Sequence, residues 1–250
     1  MKGNAPYETD LALSEYLLFH YGAEEEILSL GVGPKEALGF SARTVDQLLD
    51  VAALSGDETA LDIGCAVGRS SFELAKKCKK VIGIDKSPSF VHACETLRVS
   101  GELPYSSPKQ GKISRSLLAS VENQVDRARV RFEVGDACSL PDSLASFEVV
   151  HAANLLCRLS NPRAFLARLP ELVAPGGQLL LATPFTWLEE FTPMDQWIGG
   201  AREDSSHVLK SLLSESFELE RELNIPFLLR EHERKFQFGV SLGMLWRRNR

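Results

Sequence analysis

Three carboxylates that follow predicted strands could together bind a nucleoside. Asp62 lies in a short strand that runs into a glycine-containing turn, Asp85 ends the next strand, and Asp136 follows a third strand. A carboxylate at the end of the second strand can accept hydrogen bonds from both hydroxyl groups of a ribose, and Asp136 could accept one from an adenine amino group. This arrangement favours adenosine binding at the carboxyl ends of parallel strands.

The turn after Asp62 consists of small residues. Glycine at position 64 permits a tight turn, and small residues at positions 66 and 68 let a ligand approach the backbone. The spacing differs from the G-x-G-x-x-G fingerprint of nicotinamide cofactors, because position 66 is Ala and Arg69 stands where the third glycine would be. The turn is therefore not predicted to bind a dinucleotide pyrophosphate.

Strand-like and helix-like segments alternate through the middle of the chain. Strands are predicted at 59–63, 81–85, 130–134, 147–151 and 178–182, and helices at 70–79, 88–101 and 162–172. This alternation predicts right-handed βαβ units and a parallel sheet. Two extended segments within 217–246 are predicted to close the sheet as an antiparallel pair.

Segments outside this repeat are predicted to cover the sheet. Helices at 10–22, with Asp10 as its N-cap, and 41–53 form an N-terminal helical cover over residues 1–55. An insertion at 102–129 is predicted to contain a helix from Ser114 to Asp126. Residues 185–205 are rich in aromatics and prolines, and long connections of this kind are usually lids.

Composition narrows the class of protein. A formal net charge of -6 gives no general attraction to nucleic acid or to anionic membranes. The five cysteines include no C-x-x-C pair, and their odd number argues against a disulfide framework. No residue pattern indicates a metal site, a leader segment or a membrane span. The sequence predicts a cytoplasmic protein.

The glycine turn and the three acidic strand ends together resemble the class I methyltransferase pattern. The resemblance implies one α/β domain over residues 1–250, with a Rossmann-like, mostly parallel seven-stranded sheet and an antiparallel C-terminal strand. It also implies S-adenosyl-L-methionine as cofactor and S-adenosyl-L-homocysteine as product. The residues predicted to contact this cofactor are Arg43, Asp62, Gly64, Cys65, Ala66, Gly68, Ser70, Asp85, Lys86, Asp136, Ala137 and Asn154.

Longer strings outside the turn resemble a narrower family, the 5-thiohistidine N-methyltransferases of ovothiol biosynthesis. These enzymes commonly form the C-terminal domain of a bifunctional ovothiol synthase. The resemblance implies methyl transfer to the imidazole π-nitrogen of 5-thiohistidine. No H-x-x-x-H cluster is present, so the chain is either a free-standing methyltransferase with a separate iron-dependent sulfoxide synthase as partner or an excised domain of the fusion. The strings are 7–10, 15–22, 62–74, 154–159, 184–190, 197–200 and 230–235.

Methylating nitrogen in a ring that also carries a thiolate requires the acceptor to be held in one orientation. A base or a water path is needed if the attacking nitrogen binds protonated. The catalytic candidates are His20, which the resemblance favours, Asn154, which follows the fourth predicted strand where the crevice of the sheet opens, and Glu231. The substrate-binding candidates are Tyr7, Tyr16, Tyr21, Arg158, Phe185, Trp187, Trp197 and Arg230.

Two other functions stay open at this point. The same fold could methylate another small thiol or amine, because a fold does not fix its substrate. The chain could also be a cofactor-binding assembly module without turnover. Several candidates have ordinary structural explanations as well, such as core aromatics at 185, 187 and 197 or a solvated charged hairpin at 230–235.

Overall fold

A seven-stranded sheet forms the centre of the structure, a computed structural model that describes residues 7–250. Its strands, in the order in which they lie side by side, are β5 (Val130–Val134), β2 (Lys80–Asp85), β1 (Thr59–Ile63), β6 (Phe147–Ala153), β7 (Val173–Thr183), β9 (Lys235–Arg248) and β8 (Phe217–His232). The first five run parallel, and β9 is antiparallel to both of its neighbours. The predicted Rossmann-like methyltransferase fold is confirmed.

Helices cover the sheet, and apolar side chains fill the space beneath them. The helices are α1 (Asp10–Tyr21), α2 (Glu24–Ile27), α3 (Phe40–Leu48), α4 (Arg69–Ala75), α5 (Pro88–Ser100), α6 (Pro162–Leu172) and α7 (Ser205–Leu213). Neighbouring strand residues such as Leu179 and Leu180 belong to different buried clusters. Because alternate strand residues face opposite sides, both faces of the sheet are buried. Within residues 7–250 no helix has the length and apolar character needed to cross a membrane.

The strand order reverses beside β1. From β1 the chain moves outward to β2 and β5, and it then crosses to the other side of β1 to form β6. In open parallel sheets a crevice forms at such a reversal, outside the carboxyl ends of the strands. The turn after β1 and the end of β6 therefore meet at the position where a ligand is expected.

Three predicted helix ends need correction, and one of them belongs to the helix predicted over 70–79, because α4 ends at Ala75. The N-cap of α1 is Thr9, whose hydroxyl accepts a hydrogen bond from the Ala12 N–H at 3.1 Å, and Asp10 is the first helical residue. Helix α3 ends at Leu48 rather than near residue 53. The Gln178 amide forms two hydrogen bonds with the backbone of Asp50, which holds the chain in a non-helical conformation there.

The helix predicted from Ser114 to Asp126 is wrong. Residues 102–120 form an antiparallel hairpin of β3 (Glu102–Gln110) and β4 (Ile113–Ser120). In β4 the half-buried or buried residues Arg115, Leu117 and Ala119 alternate with exposed ones. This period of two is the strand pattern, and the hairpin packs against α1 and β8.

Candidate active site

A cavity of about 720 Å³ opens at the carboxyl ends of the parallel strands. Small-molecule sites commonly occupy roughly 300–1,000 Å³. Residues of α1 and of the β8–β9 hairpin line it together with the strand ends. The predicted site residues that the structure brings together on its wall are Tyr7, Tyr16, His20, Gly64, Ala66, Ser70, Asp85, Lys86, Asp136, Ala137, Asn154 and Arg158.

The turn after β1 presents backbone to the cavity and fixes Asp85. Gly64 and Ala66 adopt positive φ values of 72° and 48°, and a side chain at position 64 would meet Leu155 at 2.9 Å. The two carboxylate oxygens of Asp85 accept hydrogen bonds from the N–H groups of Ala66 and Ser87, both at 2.9 Å. Burial raises the pKa of Asp85 more than these bonds lower it. A carboxylate held in this way keeps lone pairs available for a ligand.

A second carboxylate, Asp136, lies at the end of β5. One of its oxygens pairs with the Lys86 ammonium at 2.8 Å and the other accepts the Cys138 N–H at 2.9 Å. Burial acts to raise the pKa of Asp136, but Lys86 and the Cys138 N–H hold it below its usual value. Asp136 therefore stays ionised and can accept a hydrogen bond from a ligand in the neutral pH range.

Asp62 is fully buried and acts through its neighbours. Its oxygens accept hydrogen bonds from Ser70 at 2.7 Å and Ser71 at 2.6 Å, and contact Nδ1 of His151 at 2.7 Å. The other nitrogen of His151 lies 3.0 Å from the Thr44 hydroxyl. Asp62 does not itself line the cavity, whereas Ser70 and His151 do. Its predicted contact with the cofactor is therefore replaced by a role in positioning these two.

One wall of the cavity combines aromatic rings with a guanidinium group. The Arg158 guanidinium lies 4.7 Å from the ring centre of Phe191, which in turn stacks with Tyr7 at 6.2 Å. Burial raises the pKa of Tyr7. Arg158 and the Tyr16 hydroxyl act to lower it, but the effect of burial is larger. Burial raises the pKa of Tyr16, Arg158 acts to lower it and Asp85 acts to raise it, and all three residues line the cavity.

Asn154 follows β6 and is held in an uncommon conformation. Its φ is 52°, a left-handed value that costs energy in residues other than glycine. Its N–H donates to the Ala182 carbonyl at 2.8 Å, and its side-chain oxygen accepts the Ser241 hydroxyl at 2.6 Å. The amide NH2 is consequently the group left to donate into the cavity.

Arg43 does not reach the cavity. Its Nε donates to the Leu38 carbonyl at 2.9 Å, and its Nη2 donates to the Pro226 carbonyl. These bonds join α3 to the C-terminal hairpin, so we remove Arg43 from the cofactor contacts. Cys65 and Gly68 are also absent from the wall. Cys65 is buried, and a side chain at position 68 would meet Phe132 at 2.9 Å.

Four predicted aromatic contacts likewise lie outside the cavity wall. The Tyr21 hydroxyl donates to the Val67 carbonyl at 2.8 Å. Trp187 and Trp197 stack on each other at 6.2 Å, and their indole N–H groups bind Ser205 and Thr192. Phe185 packs in the same apolar cluster as Trp187. The rings of Phe185, Trp187 and Trp197 hold the segment 185–205 in place, and Phe191 is the ring of this segment that reaches the cavity.

The charged residues of the C-terminal hairpin are occupied elsewhere. Arg230 is buried and donates to the carbonyls of Glu26 and Pro108, so it fixes α2 and the β3–β4 hairpin. Glu231 pairs with Lys235 at 2.6 Å and accepts a hydrogen bond from Gln237 at 2.9 Å. Neither lines the cavity, whereas Gln237 does. The predicted roles of Arg230 and Glu231 at the substrate are withdrawn.

The family model of the methyltransferase domain matches residues 37–223. The chain belongs to the methyltransferase domain family. It is 24% identical over 172 residues to ajmaline N-methyltransferase of Rauvolfia serpentina, a match covering 67% of this chain and 50% of the relative. It is 31% identical over 139 residues to the tRNA U34 carboxymethyltransferase of Cellvibrio japonicus, covering 55% and 36%. The chain thus spans half or less of the length of these relatives.

Solved structures share the fold of this chain. The N-methyltransferase NodS of Bradyrhizobium japonicum, in complex with S-adenosyl-L-homocysteine, superposes with a TM-score of 0.53 at 16% identity, over 95% of this chain and 99% of NodS. The cyclase SpnF superposes with a TM-score of 0.54 at 18% identity, over 83% and 80%. A cyclase on the same fold shows that the site, not the fold, must decide the reaction.

Several wall residues were not singled out in the sequence. They include Glu8, His151, Phe191, Phe227 and Gln237. A signal existed for His151, because a polar residue at the end of a predicted buried strand faces the crevice of a parallel sheet. None existed for Gln237, whose place depends on the pairing of β8 with β9.

His20 gives a prediction about pH. Burial lowers the pKa of His20 to about 3, so the folded methyltransferase binds this proton less readily than the unfolded chain. Stability should therefore fall as the pH is lowered from about 6.5, the ordinary value for histidine, toward 3. Substituting His20→Gln should reduce this slope by up to about 1.4 kcal/mol per pH unit. Urea unfolding across this range tests it, and identical slopes would contradict it.

Proposed function

We propose that this methyltransferase transfers the methyl group of S-adenosylmethionine to the π-nitrogen of 5-thiohistidine. The observation that best supports this donor is the position of Asp85. Its carboxylate is fixed on the cavity wall beside the backbone turn of Gly64 and Ala66. Both of its oxygens are oriented by backbone N–H groups and can accept ribose hydroxyls. Asp136 offers an acceptor for an adenine amino group. The residues present therefore fit an adenosine-containing donor.

The wall of Tyr7, Arg158 and Phe191 supports a small amino acid as acceptor. A guanidinium group binds carboxylate through two parallel hydrogen bonds, and the nearby rings can pack on an imidazole. The identity of that ring as a thioimidazole rests on the resemblance of the sequence strings. On this proposal a separate iron-dependent sulfoxide synthase supplies the acceptor, and both reactions take place in the cytoplasm.

Selectivity for nitrogen over sulfur is a choice between two ring orientations. The π-nitrogen and the sulfur-bearing carbon are both attached to the carbon that carries the side chain, so a half-turn about that bond exchanges them. The NH2 group of Asn154 is free to donate into the cavity. A hydrogen bond from it to the thiolate would hold the sulfur away from the donor and present the nitrogen.

When bound, S-adenosylmethionine supplies an electrophilic methyl group on a positively charged sulfur. Transfer would join the π-nitrogen lone pair to that methyl group and leave the electron pair of the broken C–S bond on the donor sulfur, with Asp85 and Asp136 holding the donor. No proton moves in this step if the ring hydrogen lies on the other nitrogen. His20 is neutral at pH 7, because burial lowers its pKa, and it can accept a hydrogen bond from that N–H.

A panel of acceptors tests this proposal. The purified chain is incubated with methyl-labelled S-adenosylmethionine and 5-thiohistidine, histidine or ergothioneine, and the methylated atom is located by NMR. We expect transfer to the π-nitrogen of 5-thiohistidine, and much slower transfer to the others. Preference for plain histidine would overturn the acceptor. Transfer to another small thiol or amine would favour the broader alternative, and donor binding with no transfer would favour a non-catalytic module.

A further inference from the structure

Glu8 and Arg158 carry opposite charges on the cavity wall, and neither forms a salt bridge within residues 7–250. Arg158 is half-buried, and its Nη1 donates to the carbonyls of Cys157 and Thr186 at 3.2 and 3.1 Å. A hydrogen bond between the Arg158 guanidinium and the Tyr7 hydroxyl acts to lower the pKa of Tyr7, but the guanidinium meets no carboxylate in that part of the chain. Glu8 is also half-buried on the wall, and its Oε1 is buried without a hydrogen-bond partner. Neither side chain forms a salt bridge there, with the other or with any third group.

Leaving both charges unmatched is costly. Removing an ionised group from water is unfavourable unless hydrogen bonds and an opposite charge replace the lost hydration. A protein can relieve this cost by pairing the two groups with each other, and here they remain unpaired. A ligand that carries both a negative and a positive group would satisfy them together.

The residue next to Glu8 belongs to the same part of the wall as Arg158. Tyr7 precedes Glu8 directly, and its ring stacks with Phe191, over which the Arg158 guanidinium lies. Arg158 is also close enough to influence the pKa of the Tyr7 hydroxyl. An α-amino acid carries a carboxylate and an ammonium group on one carbon atom, so one small ligand can offer a partner to each of the two side chains.

We infer that Glu8 binds the α-ammonium group of the acceptor while Arg158 binds its α-carboxylate. The acceptor is then a free α-amino acid, and a residue within a peptide chain is excluded because its amino group is acylated. This inference rests on the proposed function and narrows its substrate class. Glu8 becomes a specificity-determining residue contributed by the segment that precedes α1.

The arrangement also orients the acceptor. Tyr16, Arg158 and Asp85 all line the cavity, and the charges of Arg158 and Asp85 both influence the pKa of Tyr16, so the charged wall and the donor site lie near each other. Anchoring both charged groups at the wall directs the side chain of the acceptor toward the donor. The ring nitrogen nearest the backbone of the acceptor is the π-nitrogen, and the two anchors fix its distance from the wall.

The test compares acceptors that lack one charge. The wild-type chain and the variants Glu8→Gln and Glu25→Gln are assayed with 5-thiohistidine, its deamino analogue and its N-acetyl derivative. Glu25 is exposed and does not line the cavity, so it serves as the matched control. Thermal unfolding and binding of S-adenosylmethionine establish that each variant is folded.

We expect Glu8→Gln to raise KM for 5-thiohistidine about tenfold to a hundredfold, which is the range for a hydrogen bond to a charged group. KM for the deamino analogue should be the same in this variant and in the wild type, and Glu25→Gln should behave as wild type. In the wild type, KM for the deamino analogue should exceed KM for 5-thiohistidine by about the same factor as Glu8→Gln raises KM for 5-thiohistidine.

Equal effects of Glu8→Gln on both acceptors, or no effect on either, would overturn the inference. So would an effect at Glu190→Gln in place of Glu8→Gln, since Glu190 also lines the cavity. Methylation of 5-thiohistidine by the wild type would still uphold the proposed function in these cases. If the wild type prefers another acceptor, its amino and deamino forms provide the same comparison.

Discussion

Replacing Asp85 by alanine is expected to weaken the binding of S-adenosylmethionine by roughly tenfold to a hundredfold. A hydrogen bond to a charged group contributes about 1.5–3 kcal/mol, and about 1.4 kcal/mol corresponds to a factor of ten. The carboxylate is already oriented by the N–H groups of Ala66 and Ser87, so a ribose meets a prepared acceptor. Calorimetric titration of the purified chain with the donor measures the dissociation constant directly.

The control for this change is Asp142→Asn. Asp142 is exposed, and it does not line the cavity. Its substitution removes the same charge from the chain and should leave donor affinity unchanged. An unchanged affinity in Asp85→Ala would contradict the placement of the donor, and the proposed function would then lose its principal support. Unfolding curves for both variants separate a loss of binding from a loss of the fold.

The pH dependence of donor binding also tests whether the Asp85 carboxylate contacts the donor. Burial raises the pKa of Asp85, so its carboxylate takes up a proton at a higher pH than an ordinary aspartate does. As the pH is lowered, donor affinity should therefore begin to decrease at a pH at which ordinary carboxylates of the chain are still ionised. This decrease should be absent in Asp85→Ala.

The sequence alone was sufficient to predict the strands that carry the donor site. Strands buried on both faces appear as continuous apolar runs, as at 178–182, and glycine turns mark their ends. The positions of Asp85 and Asp136 follow from those ends alone, because the carboxyl ends of parallel strands share one edge of the sheet. The local residue pattern and the order of the strands along the chain are therefore enough to predict this part of the cavity.

The acceptor side depends on contacts between distant parts of the chain. Arg43 binds the Pro226 carbonyl, 183 residues away, and Arg230 binds Glu26 across 204 residues. No local pattern distinguishes these arginines from one that faces a ligand, such as Arg158. The same limit applies to the aromatic residues of 185–205, where Phe191 reaches the cavity and Trp187 packs against Trp197.

The buried network around Asp62 leads to the second large effect. Replacing Asp62 by alanine is expected to lower the free energy of unfolding by about 3–5 kcal/mol, the range for removing one partner from a buried charged network. The change leaves the hydroxyls of Ser70 and Ser71 and the Nδ1 of His151 without their common partner. Urea unfolding at pH 7 measures this loss.

The exposed pair of Asp57 and Lys79 provides a matched control. Its two charged atoms are 2.7 Å apart, and the Asp57 side chain is 78% exposed. Surface pairs of this kind contribute at most about 1 kcal/mol, so Asp57→Ala should have a small effect. A loss in Asp62→Ala no larger than that in Asp57→Ala would show that the network does not hold Ser70 and His151 in place.

The penalty in Asp62→Ala should depend on pH in a defined direction. Although burial acts to raise it, the contacts with His151 and the two serines hold the pKa of Asp62 below its usual value. The folded state therefore binds this proton less readily than the unfolded chain, whose aspartates titrate near about 3.9. The contribution of Asp62 to stability is fully present above that pH and is lost as the pH falls through the lower pKa of the folded state. The difference in the free energy of unfolding between wild type and Asp62→Ala should accordingly be constant near neutral pH and shrink below about pH 4.

Because Ser70 and His151 line the cavity, the same variant should also bind the donor more weakly at temperatures where it remains folded.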